Sequence, residues 1–211
     1  MVQHTDGVAR IPVDGVELEA TFDVPQGASG VVVFAHGSGS SRKSPRNNYV
    51  AEVIRERGLG TLLFDLLTEA EDQQRQNRFD ISLLTDRLVW VTEWVWKQDP
   101  ELSVGYFGSS TGAATALRGA ARYGEDVDGV VSRGGRVDMA ADSLSDVTAP
   151  TLFVVGGADS EVLALNREAY ERLTCDRSLH VVAGAGHLFE AEDELREVAT
   201  VAADWFESKL R

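Results

Sequence analysis

Two hydrophobic patterns alternate along this chain. Short continuous runs of apolar residues are typical of strands that are buried on both faces; they lie at 31–35, 61–67, 104–107, 127–131 and 151–155, with a further strand-like run at 178–183. Longer segments repeat their apolar residues every three or four positions, which is typical of amphipathic helices; they lie at about 45–57, 78–97, 113–123, 161–173 and 192–210. This alternation predicts an α/β fold with a mostly parallel central sheet and helices on both faces.

The N-terminal part has a different pattern. Residues 8–12 and 16–22 alternate apolar with polar positions around Val13-Asp14-Gly15, which predicts an antiparallel hairpin. Two other segments are weakly patterned: 68–77 is polar and is expected to be an exposed loop, and 137–147 is short and weakly helical. No linker or long insertion interrupts the chain, so we expect residues 1–211 to form a single domain without a lid domain.

Composition narrows the class of protein and its partners. The net charge of −14 argues against nucleic acid and anionic membranes as partners. No run approaches the roughly 18 apolar residues of a membrane span, and residues 1–6 lack the features of a signal peptide. The single cysteine, Cys175, cannot form an internal disulfide, which favours the cytoplasm. The oligomeric state stays open.

The most informative motif is Gly108-Ser109-Ser110-Thr111-Gly112, a G-x-S-x-G pattern between a predicted strand and a predicted helix. Its spacing selects Ser110 as the central serine. The glycines on either side would let the strand and the helix approach closely, so that a strained turn presents the Ser110 hydroxyl. The alternative is a glycine-rich helix start in which Ser109 or Ser110 is merely an N-cap.

A serine hydroxyl needs a base to become a nucleophile, and a carboxylate to orient that base. Of the four histidines, His187 follows a glycine-containing loop after the last strand and is the candidate base, whereas His36 is expected to make a structural hydrogen bond. Asp159 follows the strand at 151–155 and is the candidate carboxylate, with Asp138 as its competitor; Asp65 is expected to be structural. The order Ser, Asp, His along the chain is one known solution to this chemistry.

A tetrahedral oxyanion needs two backbone N–H donors. The residue after the nucleophile, Thr111, should supply one. The loop His36-Gly37-Ser38-Gly39 should supply the other, with Ser38 favoured and Gly39 as the second choice. A phosphate-binding loop is the rival interpretation of this stretch, but no G-K-[ST] follows it. No His/Cys cluster has the spacing of metal ligands, so we expect neither a metal nor an organic cofactor.

Together these motifs make the whole chain resemble the α/β-hydrolase superfamily, in a small lidless form similar to dienelactone-hydrolase-like proteins. The resemblance implies that Ser110, Asp159 and His187 are a catalytic triad. It also implies a departure, because dienelactone hydrolase itself has a cysteine nucleophile and this chain has Ser110.

The function expected from these residues is hydrolysis of a small ester, lactone or thioester through an acyl-enzyme on Ser110. Two alternatives remain open: an acyltransferase, and a non-catalytic protein that binds a small molecule on the same fold. Four arginines follow predicted strand ends and could bind an anionic substrate, or could instead hold loops together by pairing with nearby carboxylates. They are Arg42, Arg46, Arg133 and Arg136.

Overall fold

A computed structural model describes residues 8–210, which form one eight-stranded sheet surrounded by helices. The strands are β1 (Ala9–Val13), β2 (Val16–Asp23), β3 (Gly30–Ala35), β4 (Gly60–Phe64), β5 (Ser103–Ser109), β6 (Gly129–Arg133), β7 (Thr151–Gly156) and β8 (Arg177–Val182). Their order in the sheet is β1-β2-β4-β3-β5-β6-β7-β8. The pairs β1–β2 and β2–β4 are antiparallel and the other pairs are parallel, which confirms the predicted mixed sheet.

The helices are α1 (Pro45–Glu56), α2 (Glu69–Asp72), α3 (Ile81–Gln98), α4 (Thr111–Tyr123), α5 (Ser160–Arg172) and α6 (Glu192–Lys209), with 3-10 helices at Arg75–Phe79, Gly124–Asp126 and Val137–Asp146.

Alternate residues of β3 enter two separate cores. Val31 and Val33 pack on the face covered by α3, α4 and α5, and Val32 and Phe34 pack on the face covered by α1 and α6. This two-sided burial is why β3 is continuously apolar.

The hairpin predicted at the N-terminus is confirmed. Val13 pairs with Val16, and the two residues between them, Asp14 and Gly15, have φ angles of 40° and 80°. A two-residue hairpin turn with this backbone suits the right-handed twist of its strands. Within residues 8–210 no insertion forms a lid, and no helix there has the length and apolar character needed to cross a bilayer.

Residues 68–77 are exposed or partly exposed, as predicted, but the prediction that they form a loop is wrong. Thr68 caps α2, accepting from the Glu71 N–H while the Glu71 carboxylate accepts from the Thr68 N–H at 2.8 Å. Glu71 also accepts a 2.7 Å hydrogen bond from Arg87 of α3. Local capping and one contact from a distant helix therefore order a segment whose composition alone favoured a loop.

The strand predicted at 127–131 begins and ends two residues later in the structure, as β6. Val127 is buried, but it precedes the ladder, in which Gly129 pairs with Gly105 and Arg133 with Ser109. The strand includes polar Ser132 and Arg133, both buried, so the apolar run did not predict where the strand begins and ends. Arg133 is consequently the last residue of a buried strand and does not lie in the loop that follows.

Candidate active site

Ser110 lies at a sharp turn between β5 and α4. Its φ and ψ angles are 52° and −119°, a left-handed conformation that L-residues rarely adopt. The flanking glycines are required by the packing: a Cβ on Gly108 would lie 2.5 Å from Ala113 Cα, and one on Gly112 would lie 2.1 Å from the carbonyl oxygen of Ala35. The turn is thus a strained strand-to-helix elbow of the kind that presents a nucleophile.

The alternative in which a serine merely caps α4 is wrong. Ser110 occupies the N-cap position, but its side chain makes no capping hydrogen bond. Ser109 is turned away from the helix, and its hydroxyl donates to Asn47 Oδ1 at 3.0 Å. The Ser110 backbone is fixed on both sides, because its N–H donates to the Arg133 carbonyl at 3.1 Å and its carbonyl accepts from the Arg136 N–H at 3.0 Å.

His187 joins Ser110 to Asp159. Its Nδ1 lies 2.7 Å from Asp159 Oδ2, and its Nε2 lies 3.3 Å from Ser110 Oγ. With the Nδ1 proton donated to the carboxylate, Nε2 is the acceptor for the serine hydroxyl. The structure therefore brings together the three side chains that the sequence selected, in the relative arrangement that nucleophilic catalysis needs.

The loops that carry Asp159 and His187 are bonded to each other. Asp159 is the N-cap of α5, and the Ala158 N–H donates to the Ala185 carbonyl at 2.9 Å. Gly156 allows this contact, since a Cβ there would lie 2.4 Å from the Ala185 carbonyl oxygen and 2.6 Å from that of Gly186. The close approach of these two backbones sets the position of His187 relative to its carboxylate.

The competing acid and base have other partners. Asp138 accepts two 2.9 Å hydrogen bonds from Arg136, whose guanidinium lowers the pKa of that carboxyl. His36 is partly buried, and its Nε2 accepts from the Leu66 N–H at 3.1 Å; this burial lowers the pKa of the imidazole. Asp65 accepts from the Arg42 N–H at 2.8 Å. The structural roles expected of His36 and Asp65 are confirmed.

The two predicted oxyanion residues touch each other. The Ser38 N–H donates to the Thr111 hydroxyl at 2.8 Å. The preceding residue, Gly37, lies against the elbow, since a Cβ there would be 3.2 Å from Ser110 Cβ. Thr111 is the first residue of α4, a position whose N–H has no intrahelical acceptor. The Ser38 loop and the start of α4 therefore meet beside Ser110, while donation by their amides to an oxyanion stays a prediction.

The four arginines divide into two pairs. Arg42 bonds to Asp65 and Glu19 and so holds distant segments together, whereas Arg136 bonds to Asp138 two residues further along the same segment. Arg46 and Arg133 form no ion pair with any residue that the structure describes. The first pair thus follows the structural alternative, and the second pair keeps its charge available.

Two residues near the site carried no sequence signal. The Arg78 side chain bonds to Asp72 at 2.7 Å, and its Nη1 lies 3.9 Å from where a Gly39 Cβ would stand. It lines a narrow cavity together with Ser38 and Gly39. Asn166 of α5 is fully buried and donates to the Gly135 carbonyl at 2.8 Å, which supports the turn beneath Ser110. The approach of Arg78 to Gly39 and the bond from Asn166 to Gly135 each join segments more than 30 residues apart, so no local motif predicts them.

Comparison of the chain with known proteins identifies similar families and structures. A model of the Dienelactone hydrolase family matches residues 18–210. The crystal structure of a dienelactone hydrolase from Anabaena variabilis ATCC 29413 is 48% identical, with a TM-score of 0.94 over 97% of each chain. Est1E from Butyrivibrio proteoclasticus shares the fold, with a TM-score of 0.81 over 95% of this chain and 98% of its own, at 16% identity.

A curated relative from Mycobacterium tuberculosis (strain ATCC 25618 / H37Rv) bears the name "Putative phosphoribosyl transferase". It is 51% identical over 203 residues, which are 95% of this chain and 46% of the relative. The chain thus spans about half the length of the curated relatives that it matches. The family match covers nearly all of the described residues, including the elbow and the loops of Asp159 and His187. The chain belongs to the dienelactone hydrolase family.

Proposed function

We propose that this protein is a serine hydrolase that cleaves a small ester, lactone or thioester through an acyl-enzyme on Ser110. The observation that carries the proposal is the continuous pair of contacts from Asp159 through His187 to Ser110, at 2.7 and 3.3 Å. The strained backbone of Ser110 supports it, because such strain is retained where it positions a reacting group. Membership of a hydrolase family agrees with this chemistry.

The reaction begins when the Ser110 hydroxyl oxygen attacks the substrate carbonyl carbon while His187 Nε2 accepts the hydroxyl proton. The Asp159 carboxylate holds the imidazole in the required tautomer and stabilises the imidazolium. Backbone N–H groups of Thr111 and Ser38 stabilise the tetrahedral oxyanion. The imidazolium returns its proton to the leaving oxygen or sulfur as the acyl bond breaks. A water molecule, deprotonated by His187, then releases the acid from Ser110 by the same steps in reverse.

Serine, and not cysteine, is the nucleophile in this proposal. The one cysteine, Cys175, lies at the opposite end of β8 from His187, and partial burial raises the pKa of its thiol. A thiol in such surroundings is inert.

Because this free thiol has no partner with which to form an internal disulfide, we also propose that the protein works in a reducing compartment such as the cytoplasm.

Hydrolysis is preferred to phosphoribosyl transfer for this chain. The transferase name belongs to proteins about twice as long, so it need not describe the half that this chain matches. Acyl transfer uses the same acyl-enzyme and differs in the acceptor. Product analysis with added alcohols and amines separates hydrolysis from acyl transfer, since an acyltransferase forms a new ester or amide faster than the free acid.

The test is covalent labelling with a fluorophosphonate, read by intact mass. The wild-type protein should gain one adduct, and Ser110→Ala should gain none. Ser109→Ala is the matched control, because its hydroxyl is next in the chain but bonds to Asn47; this variant should still be labelled. Unlabelled wild type should also turn over members of an ester, lactone and thioester panel, and labelling should abolish this turnover. A well-folded wild type without an adduct would refute the proposal and favour a non-catalytic binding protein.

A further inference from the structure

The 133–136 segment, which follows β6, holds the candidate nucleophile by its backbone. The Ser110 N–H donates to the Arg133 carbonyl at 3.1 Å, and the Ser110 carbonyl accepts from the Arg136 N–H at 3.0 Å. These two hydrogen bonds fix a residue whose φ of 52° is unfavourable for an L-residue. Strain of this kind persists only where the surrounding structure enforces it, so the 133–136 segment is part of what holds the elbow in place.

The same segment adjoins the candidate base. A Cβ on Gly134 would lie 3.4 Å from the His187 carbonyl oxygen and 3.6 Å from its imidazole ring. The next residue, Gly135, lies between β6 and α4, because a Cβ there would be 2.1 Å from Ser132 Oγ and 2.7 Å from Ala113 Cβ. A shift of this segment would therefore move the nucleophile relative to the base.

Asn166 attaches the segment to α5. Its Nδ2 donates to the Gly135 carbonyl at 2.8 Å, and also to the Val162 carbonyl, one turn earlier in the helix, at 2.8 Å. Because both neighbours are carbonyl oxygens, the amide nitrogen and not the amide oxygen must face them. The amide oxygen lies 3.5 Å from the Ser132 hydroxyl oxygen. One side chain thus spans β6, the 133–136 segment and its own helix.

The helix that carries Asn166 also carries the triad carboxylate. Asp159 is the N-cap of α5, about two turns before Asn166. Its Oδ2 lies 2.7 Å from His187 Nδ1. The bond from Asn166 to the Gly135 carbonyl therefore joins the element that positions the acid to the segment that holds Ser110.

Helix formation and core packing do not account for an amide at this position. Asn166 is fully buried within α5. Asparagine is a weak helix former, and burial of an amide is unfavourable unless its hydrogen bonds are made. A leucine would fill a similar volume and would favour both the helix and the core. The bond to the Gly135 carbonyl is what the amide supplies and a leucine cannot.

We propose that Asn166 is a positioning residue for the triad, which fixes the acid-bearing helix α5 relative to the segment that holds Ser110. This inference rests on the proposed hydrolase function, and it assigns a share of the rate to a buried residue that touches no reacting atom. When the amide is removed, the segment can shift while the fold is retained. A misplacement of about 1 Å at a reacting group lowers a rate by about 100-fold.

The first experiment measures the rate constant for labelling of Ser110 by a fluorophosphonate, because this reaction needs the triad but no knowledge of the substrate. Asn166→Leu keeps a similar volume and removes the donor to Gly135. Its labelling rate constant should fall between about tenfold and 100-fold. Urea denaturation of the same sample shows that the variant is folded.

The matched control is Thr92→Val, on α3. Thr92 is also fully buried, and its hydroxyl also contacts a carbonyl one turn earlier, that of Leu88, together with one group outside its helix, the Tyr106 hydroxyl; both distances are 2.8 Å. This variant should lower the urea midpoint as a buried hydrogen bond is lost, and it should be labelled at the wild-type rate.

Asn166→Asp provides a rescue within the same shape. An ionised carboxylate cannot donate to the Gly135 carbonyl, whereas a protonated one can. Burial beside two carbonyl oxygens should raise the pKa of the introduced carboxyl. Between about pH 9 and pH 6, the labelling rate of this variant, divided by that of the wild type at the same pH, should therefore rise as the pH falls, and at the lower pH it should exceed that of Asn166→Leu.

The outcomes separate this inference from the proposed function. A wild type that is not labelled refutes the hydrolase. A labelled wild type with a folded Asn166→Leu at the same rate refutes the positioning role alone. Equal slowing by Thr92→Val at an equal loss of stability also refutes it, because slow labelling would then report only a weakened fold. If Asn166→Leu does not fold, Asn166→Asp decides, and a rate ratio that does not rise as the pH falls and stays below the wild type overturns the inference.

Discussion

The Ser38 N–H donates to the Thr111 hydroxyl oxygen at 2.8 Å, although both residues are expected to direct backbone N–H groups at the oxyanion. The hydroxyl therefore occupies the Ser38 donor when no substrate is bound, and it joins the loop after β3 to the start of α4. In the proposed mechanism, the Ser38 N–H exchanges this acceptor for the oxyanion when the tetrahedral intermediate forms. The Thr111 side chain holds the Ser38 loop against the elbow, in addition to the role proposed for its amide.

This contact predicts the behaviour of Thr111→Val, which keeps the branched shape and removes the hydroxyl. Without its acceptor the Ser38 loop loses one hydrogen bond, worth about 1 kcal/mol, and its donor is less well placed. We expect kcat/KM for a simple ester to fall about tenfold. Thr111→Ser, which keeps the hydroxyl, should stay close to the wild type. Valine at wild-type activity would mean that the hydroxyl has no part in preorganising the donor.

Gly156 should be intolerant of a side chain for a reason specific to the site. The Cβ of Gly156→Ala would meet the carbonyl oxygens of Ala185 and Gly186 at 2.4 and 2.6 Å, so the His187 loop must move. We expect kcat to fall about 100-fold, which is the order of loss for a misplacement of about 1 Å, and the free energy of unfolding to fall by about 1–3 kcal/mol. Steady-state kinetics and urea denaturation measure both.

The control for Gly156→Ala lies on the other side of the same contact. A Cβ on Gly186 would have no atom within 4 Å, so Gly186→Ala should change the free energy of unfolding by no more than about 0.5 kcal/mol. Equal destabilisation by the two variants would show that the close approach of the loops is not what excludes a side chain at Gly156.

The sequence predicted the triad residues because each obeys a local rule. Ser110 lies in a five-residue motif, and Asp159 and His187 each follow a strand, where the topology of a parallel sheet brings side chains to one edge. These rules need no knowledge of packing. The same holds for the hairpin, whose Asp14-Gly15 turn is a two-residue signal.

The roles of the arginines could not be predicted, since they depend on which carboxylates lie within reach. Arg133 and Arg136 are three residues apart and similar in sequence context, yet Arg133 is buried without an ion pair to any residue within 8–210, and Arg136 is paired with Asp138 at the surface. The shift of β6 by two residues decides this difference. The ordered segment at 68–79 was missed for a related reason, because its stabilising partner, Arg87, lies on another helix.

His36 should make the stability depend on pH. Burial lowers the pKa of its imidazole in the folded protein, so below about pH 6.5 the unfolded chain binds a proton that the folded chain resists. The free energy of unfolding should therefore fall as the pH falls below 6.5, with a contribution of at most about 1.4 kcal/mol per pH unit from this group. Urea denaturation between pH 5 and 8 should show a smaller slope for His36→Gln. Equal slopes would exclude His36 as a source of the dependence.

Loss of the Arg87 side chain should lower the free energy of unfolding far more than loss of a surface arginine that also bonds to a carboxylate. It is 5% exposed, and it donates to the Glu71 carboxylate at 2.7 Å and to the Val13 carbonyl at 3.1 Å. Arg87→Met removes the donor to Glu71 Oε1 and the side-chain donor to the Val13 carbonyl, and it detaches α2 from α3 and β1. We expect the free energy of unfolding to fall by about 2 kcal/mol or more, and the segment 68–79 to become sensitive to proteolysis.

The matched variant is Arg122→Met. Arg122 also bonds to a carboxylate, that of Asp86, but its side chain is 43% exposed and the pair is surrounded by water. Such pairs contribute about 0–1 kcal/mol, so this change should be nearly silent in chemical denaturation and should leave the proteolysis pattern unchanged. Similar losses for the two variants would mean that the burial of Arg87, and the segment it anchors, add nothing to an ordinary ion pair.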